Sequence, residues 1–266
     1  MRFLSIQSFI AFMTRLLVTD QANYFKVMHV FHDRFRGRLS LGVLPDLQML
    51  FFRMNEDNFI VDEVYNDQVY EQYFRPLKGD VVADVGAHIG IFTLKAAKHI
   101  GKKGIVLAFE PEKTNFWILQ LNLKVNNLHQ VKTFMLGLGE KEKYAQLFLD
   151  SANSGGHSLC FHKTQKSCKI KLAILDKVVE NYASGKLDFL KVDVEGYELN
   201  VLKGARKSLT KNSVKVAIAA YHYIGEAHKI VHFLDELGYE TKIWFNQRHE
   251  PFVFAQKVGL VSDGNW

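Results

Sequence analysis

Cysteine is nearly absent: 266 residues include only Cys160 and Cys168, and neither belongs to a Cys-x-x-Cys pair. A disulfide framework and a zinc site of the common spacing are therefore not expected, and a reducing, cytoplasmic compartment fits best. Long apolar runs are missing too. The uncharged stretch from Phe3 to Thr14 spans twelve residues, too few to cross a bilayer as a helix. No small-residue cleavage site follows it, so no signal peptide is expected. The excess of positive charge is slight, +6, and lysines such as Lys163, Lys166, Lys169 and Lys171 are scattered in the manner of solvated faces. A nucleic-acid groove is not the expectation. There is also no internal repeat or low-complexity tract. What the chain has is apolar content: 48% hydrophobic and 13% aromatic residues, enough for a large core rather than disorder.

The most informative stretch is residues 80 to 90, Asp-Val-Val-Ala-Asp-Val-Gly-Ala-His-Ile-Gly. Val81, Val82, Ala83 and Val85 form a short apolar run suited to a central parallel strand covered on both faces. Asp84 interrupts that run one residue from its end. Gly86 and Gly90 then bracket Ala87, His88 and Ile89, so the backbone can turn sharply and a ligand can approach the main chain at the start of the next helix. The plain alternative is an ordinary strand-to-helix turn that needs glycine.

Around that turn the chain divides in two. Residues 1–70 read as an N-terminal cap, helical over residues 1 to about 36, with β-like runs at Gln48–Met54 and Asn58–Val61. Phe3, Ile6, Ile10, Met13 and Leu17 recur at helical spacing; this stripe either packs on its own domain or gives residues 1–18 a peripheral membrane contact. Residues 71–266 alternate as a doubly wound sheet does. Strands are expected at 81–85, 104–109, 131–136, 187–192, 214–220, 240–245 and 251–256. Helices are expected at 89–100, 112–126, 198–209 and 226–237. A hairpin insertion is expected near 140–172, around the polar stretch 150–158.

Glu110 ends the second of these strands, inside Ala-Phe-Glu-Pro. A carboxylate there can accept hydrogen bonds from both hydroxyls of a ribose. Two cofactors compete for such a site. A nicotinamide dinucleotide calls for Gly-x-Gly-x-x-Gly, but position 84 is Asp. S-adenosylmethionine carries a free ammonium group that an acid at the first strand's tip can help hold. Asp84 with Glu110 favours S-adenosylmethionine.

The segments Val-Ala-Asp-Val-Gly-Ala-His-Ile-Gly and Ala-Phe-Glu-Pro, with Lys-Val-Asp-Val-Glu-Gly and Val-Leu-Lys-Gly-Ala inside residues 187–205, resemble the FkbM-type methyltransferases. The resemblance covers roughly residues 65 to 245. It implies an α/β fold with a Rossmann-like class I methyltransferase sheet, mostly parallel and seven-stranded with the last strand antiparallel. It also implies O-methylation of sugars or other small molecules, with S-adenosylmethionine as cofactor. Carried over by position, Asp84, Gly86, Ala87 and Gly90 form the cofactor loop and Glu110 the ribose contact.

Asp193 and Glu195 follow the strand 187–192, over the crevice where open sheets bind ligands. Asp193 is expected beside the reactive methyl group, while Glu195 is equally a helix-capping carboxylate. His222, just past Ala219-Ala220, is the candidate general base because it titrates in the right range. His157 and Ser158, in the insertion, are candidates for covering the cofactor. Asn122 and Asn126 are expected to satisfy backbone groups rather than touch a ligand. Leu138 either packs on adenine or belongs to a tight loop. The expected acceptor is a small-molecule or glycan hydroxyl. The rival readings are an RNA methyltransferase, against which the Asn/Asp-Pro-Pro-aromatic signature is missing, and a non-catalytic, membrane-associated cofactor-binding module.

Overall fold

The computed structural model describes residues 26–32, 37–53, 56–161 and 165–257. Its strands are β1 (Lys26–His32), β2 (Gly37–Val43), β3 (Met49–Phe52), β4 (Val81–Val85), β5 (Ile105–Phe109), β6 (Val131–Phe134), β7 (Gly137–Leu138), β8 (Lys143–Phe148), β9 (Ser167–Ala173), β10 (Phe189–Val192), β11 (Lys215–Ala219), β12 (Tyr239–Phe245) and β13 (Pro251–Lys257). The helices are α1 (Asn58–Val61), α2 (Ile91–Ile100), α3 (Lys113–Val125), α4 (Leu175–Ala183), α5 (Glu198–Gly204), α6 (Arg206–Lys211) and α7 (Glu226–Asp235). Among the described residues, no helix is long and apolar enough to cross a membrane.

Seven strands form one sheet in the order β12-β13-β11-β10-β4-β5-β6. Every residue of β4 is buried because helices and loops cover both faces. Val82, Val106, Ala108 and Phe189 face a cluster that holds α2, α3 and the cap residues Leu39, Leu50 and Phe52. Val81, Ala83, Leu107 and Leu190 face a second cluster built on α4, α5 and α7. The strand pairs are parallel except that β13 runs antiparallel to β11 and β12. Strand order reverses between β4 and β10. Open sheets of this kind bind ligands at that point, beyond the carboxyl ends of the strands.

Two expectations for the cap are corrected. Lys26–His32 is a strand rather than helix, paired antiparallel with β2 over seven residues; the run is rich in valine and aromatic residues, and a partner strand is what decides such ambiguous sequence. Asn58–Val61 is helical rather than extended. Val61 and Val64 are both buried, and their three-residue spacing puts them on one helical face. The stripe from Phe3 to Leu17 lies outside the described residues. The helix Leu175–Ala183 was not foreseen, although Leu175, Val178 and Val179 carry its buried face.

The cap is tied to α3 by two amides. Asn122 accepts from the Phe51 N–H (2.6 Å) and donates to the carbonyls of Phe51 (3.0 Å) and Ile89 (2.8 Å). Asn126, one turn on, accepts from the Met49 N–H and donates to its carbonyl. Side chains thus pair with the backbone edge of β3 as a further strand would, in line with the backbone-satisfying role expected of both asparagines. Asn122→Ala should lower stability by about 2–4 kcal/mol, because it strands several buried backbone groups. Asn126→Ala, at a half-buried position, should cost less. Urea denaturation of the two variants checks the ranking; equal losses below about 1 kcal/mol would refute it.

Candidate active site

A cavity of about 470 Å³ opens at the reversal of strand order, and Gly86, Ala87, His88, Glu110 and Asp193 all line it. Its floor is the turn after β4. The Gly86 and Ala87 N–H groups both donate to the Phe109 carbonyl (3.1 and 2.9 Å), which locks the turn to the end of β5. Gly86 has φ +78, and a Cβ there would lie 1.8 Å from the Asp193 carbonyl oxygen, so the turn lies directly against the backbone leaving β10. Gly90 also has positive φ, but its close neighbour is Leu119 of α3. It does not line the cavity, so its glycine serves helix packing.

Asp84 lies behind this wall rather than in it, which corrects the direct cofactor contact expected from the sequence. The side chain is fully buried, accepts from Thr93 Oγ1 and pairs with Lys191 Nζ at 3.1 Å. A buried carboxylate requires such partners, and these occupy it. Lys191 stands opposite Asp84 in the β4–β10 register. Its ammonium also donates to the Gly86 carbonyl at 2.7 Å and faces the Tyr70 ring. Lys191 neutralises Asp84 and links it to the turn. Its signal in the sequence was a lysine inside an otherwise apolar strand.

Glu110, at the end of β5, is 6% exposed. One carboxylate oxygen accepts from the His88 N–H and the other from the Glu112 N–H, both at 2.8 Å. Burial pushes its pKa up to about 7 although those two bonds pull the other way. Each oxygen keeps a lone pair for a ligand hydroxyl.

Behind His88 is a polar network that the sequence alone does not signal. Arg53 donates through Nε and Nη2 to the two oxygens of the buried Asp57 (2.9 and 3.0 Å) and to Asn115 (2.8 Å). Ser154 donates to Asp57 at 2.8 Å, and the Asn115 amide donates to the Ser154 carbonyl. His88 Nε2 lies 3.1 Å from the Ser154 hydroxyl. Burial, with the nearby Arg53 charge, brings the His88 pKa down to about 4 although Asp57 opposes it, so the ring is neutral. The cap, the cofactor turn, the start of α3 and the insertion meet here. No local motif announces it, because its members come from four separate stretches.

At the other end of the cavity, Asp193 accepts from the Tyr70 hydroxyl at 2.6 Å. Burial raises its pKa, but contact with His222 and the Lys191 charge outweigh this and hold it well below the usual range. His222 is ringed by acids: Nδ1 is 3.2 Å from Glu226 and 3.3 Å from Glu198, while Nε2 is 3.5 Å from Asp193 and 3.8 Å from Glu195. Burial lowers its pKa, yet Asp193, Glu226 and Glu198 together push it up to about 11. The ring is an imidazolium at neutral pH, which corrects the general-base role expected of it. Glu198, fully buried, is raised well above the carboxylate range by burial and by Glu226.

Ser158 is corrected as well. It is fully buried and does not line the cavity. Its hydroxyl donates to the Glu195 carbonyl (2.6 Å) and accepts from the Cys160 and Phe161 N–H groups. The loop is braced by it, and no capacity is left to face a ligand. His157 and Leu138 do line the cavity, with Leu136 and Phe161.

A seven-stranded doubly wound sheet with an antiparallel last strand, a glycine turn after its first parallel strand and an acid after its second defines the class I methyltransferase architecture. Residues 84–241, more than half of the chain, match the methyltransferase FkbM domain, and the chain belongs to that family. Methyltransferase sdnD of Sordaria araneosa is 26% identical over 216 residues, spanning 70% of this chain and 83% of its own. The hexuronic acid methyltransferase AglP of Haloferax volcanii is 30% identical over 181 residues, spanning 67% of this chain and 71% of its own. In fold, the chain is similar to the methyltransferase FkbM of Methylobacillus flagellatus, with a TM-score of 0.56 at 21% identity; 74% of this chain and 52% of that protein are covered.

Proposed function

We propose that this chain transfers a methyl group from S-adenosylmethionine to a hydroxyl of a sugar, glycolipid or other small metabolite. One observation carries the reading: a single cavity joins Glu110, at the end of β5, to Asp193, at the end of β10, with the Gly86–Ala87 turn of the intervening strand between them. The residues fit the cofactor, since Glu110 keeps acceptor capacity for two ribose hydroxyls and Leu136 and Leu138 offer an apolar wall to the adenine. When bound, S-adenosylmethionine supplies an electrophilic methyl group on sulfur.

The chain's task is then to hold an acceptor oxygen in line with that carbon. Asp193, an ionised carboxylate already fixed by Tyr70, orients the acceptor hydroxyl by accepting its hydrogen bond. The acceptor lies toward the cap residues Phe59 and Glu63 and the loops after β11 and β12 that carry Tyr221 and Arg248, all of which line the cavity. Arg248 is paired with Glu63 at 2.7 Å, and its remaining guanidinium N–H groups can receive a sugar carboxylate; the hexuronic acid relative AglP agrees with that acceptor class.

Calorimetry with S-adenosylmethionine, followed by transfer of a tritiated methyl group to uronic-acid and neutral oligosaccharides, tests the reading. Glu110→Ala should weaken cofactor binding by about 1–3 kcal/mol, roughly 5- to 150-fold. Absence of cofactor binding, or an affinity that this substitution leaves unchanged, would sink the proposal.

Glu110 also gives the binding a pH dependence. The ionised carboxylate is the better acceptor, so affinity should fall as pH drops through about 7, by about tenfold between pH 8 and pH 6. For stability the sign is opposite. The folded state prefers Glu110 protonated, so its contribution is present below the ordinary value of 4.5 and is lost as pH rises through about 7. Calorimetric titrations at several pH values check this, with the Glu110→Gln variant expected to lose the dependence.

A further inference from the structure

The imidazole of His222 presents its two nitrogens to different surroundings. Nδ1 is anchored by Glu226 and Glu198. Nε2 points into the cavity wall on a side chain only 3% exposed, and it has no hydrogen-bond partner. Asp193 Oδ1, which also lacks a hydrogen-bond partner, stands 3.5 Å from it, and Glu195 Oε1 stands 3.8 Å from it. The three atoms lie within 4.8 Å of one another, and all three residues line the cavity. The 3.5 Å separation is at the outer limit of a hydrogen bond and the 3.8 Å one is beyond it. They match the spacing of ligands that share an ion.

We propose that Asp193, Glu195 and His222 hold a divalent cation of the zinc or manganese class beyond the carboxyl ends of β10 and β11. One imidazole, which gives up its Nε2 proton to solvent as the ion binds, with two carboxylates is a donor set suited to those ions. A cation about 2.2 Å from each atom would subtend roughly 105° between the pair 3.5 Å apart and roughly 120° between the pair 3.8 Å apart, both near the tetrahedral angle, and three protein ligands leave a four-coordinate ion one open position. The surroundings are those of a built site. Tyr70 orients Asp193 through its other oxygen, and Glu226 fixes the ring through Nδ1, the carboxylate–histidine arrangement found behind metal ligands. Glu195 has φ +55, a conformation that a side-chain-bearing residue adopts only when held there, and the Ser158 hydroxyl holds its carbonyl.

In the cavity read as a methyltransferase site, this ion gives the acceptor oxygen a binding point beside the Asp193 carboxylate that orients it. The acceptor hydroxyl takes the open position and its proton becomes more acidic. The O–H bond breaks with the proton passing to water, the oxygen forms a bond to the methyl carbon, and the carbon–sulfur electron pair stays on sulfur. The role of the ion rests on the proposed function; its binding does not.

The test is calorimetric titration of chelator-treated protein with zinc, manganese and magnesium chlorides. About one equivalent of zinc or manganese should bind, and Asp193→Asn and Glu195→Gln should each weaken that binding at least tenfold. Thermal melting without metal confirms that both variants fold; Glu195→Gln, at a partly exposed side chain, is the safer of the two. No binding of zinc or manganese up to about 1 mM, a site that takes magnesium alone, or an affinity that both variants leave unchanged would each overturn the proposal. S-adenosylmethionine titrated into the same metal-free samples separates the two readings: donor binding without any metal site would leave the proposed function standing and remove the ion.

Discussion

Replacing Lys191 by methionine should lower stability by about 3–5 kcal/mol, the cost of leaving a buried carboxylate without its cation. Asp84 is fully buried and would keep only the Thr93 hydroxyl. Methionine preserves most of the side-chain volume, so the loss reports the charge rather than a cavity. The double variant Asp84→Asn/Lys191→Met should recover a large part of it, because neither a charge nor its counter-charge is then stranded. The effect should extend to function: the Gly86 carbonyl loses its donor, and the cofactor turn loses its tie to β10. Urea denaturation of the single and double variants decides the matter. A single-variant loss below about 1 kcal/mol, or a double variant no better than Lys191→Met, would show that the pair does not hold the turn.

Gly86→Ala should be comparably damaging, at about 2–5 kcal/mol. Two costs add: positive φ for a residue with a Cβ, about 1–2 kcal/mol, and overpacking of about 1–3 kcal/mol. The second arises because a methyl group 1.8 Å from the Asp193 carbonyl cannot fit without moving one of two packed backbone segments. Gly79 supplies the control. It has φ +85 and open space where its Cβ would be, so Gly79→Ala carries the conformational cost alone and should lose only about 1–2 kcal/mol. Since Gly86 and Asp193 both line the cavity, Gly86→Ala should also weaken S-adenosylmethionine binding, whereas Gly79→Ala should not. Equal losses in the two alanine variants would mean that the close approach has no energetic weight.

Much of this was legible in the residues. The apolar run at Val81–Val85, the glycine turn, the terminal Glu110 and the helix-strand rhythm after residue 79 are local patterns, and, the helix Leu175–Ala183 apart, each expected element lies where its pattern put it to within a few residues. Short mixed segments were not decided locally. Lys26–His32 became a strand because β2 lies beside it, and Asn58–Val61 became a helix because Val61 and Val64 bury together.

The site divides along the same line. Sequence alone determined which acids end which strands, since strand ends are local and Glu110 and Asp193 follow directly from them. Sequence alone did not determine what those acids meet. That Asp84 turns to Lys191 and away from the cavity, that Ser158 is spent on a loop, that Arg53, Asp57, His88 and Ser154 form one network, that His222 is ringed by four carboxylates, and that Tyr70 holds Asp193 depend on chain segments up to 123 residues apart, the separation in the last of these. Proton affinity and ligand capacity are set by burial and by the charges within a few ångströms, and only the tertiary structure brings those together.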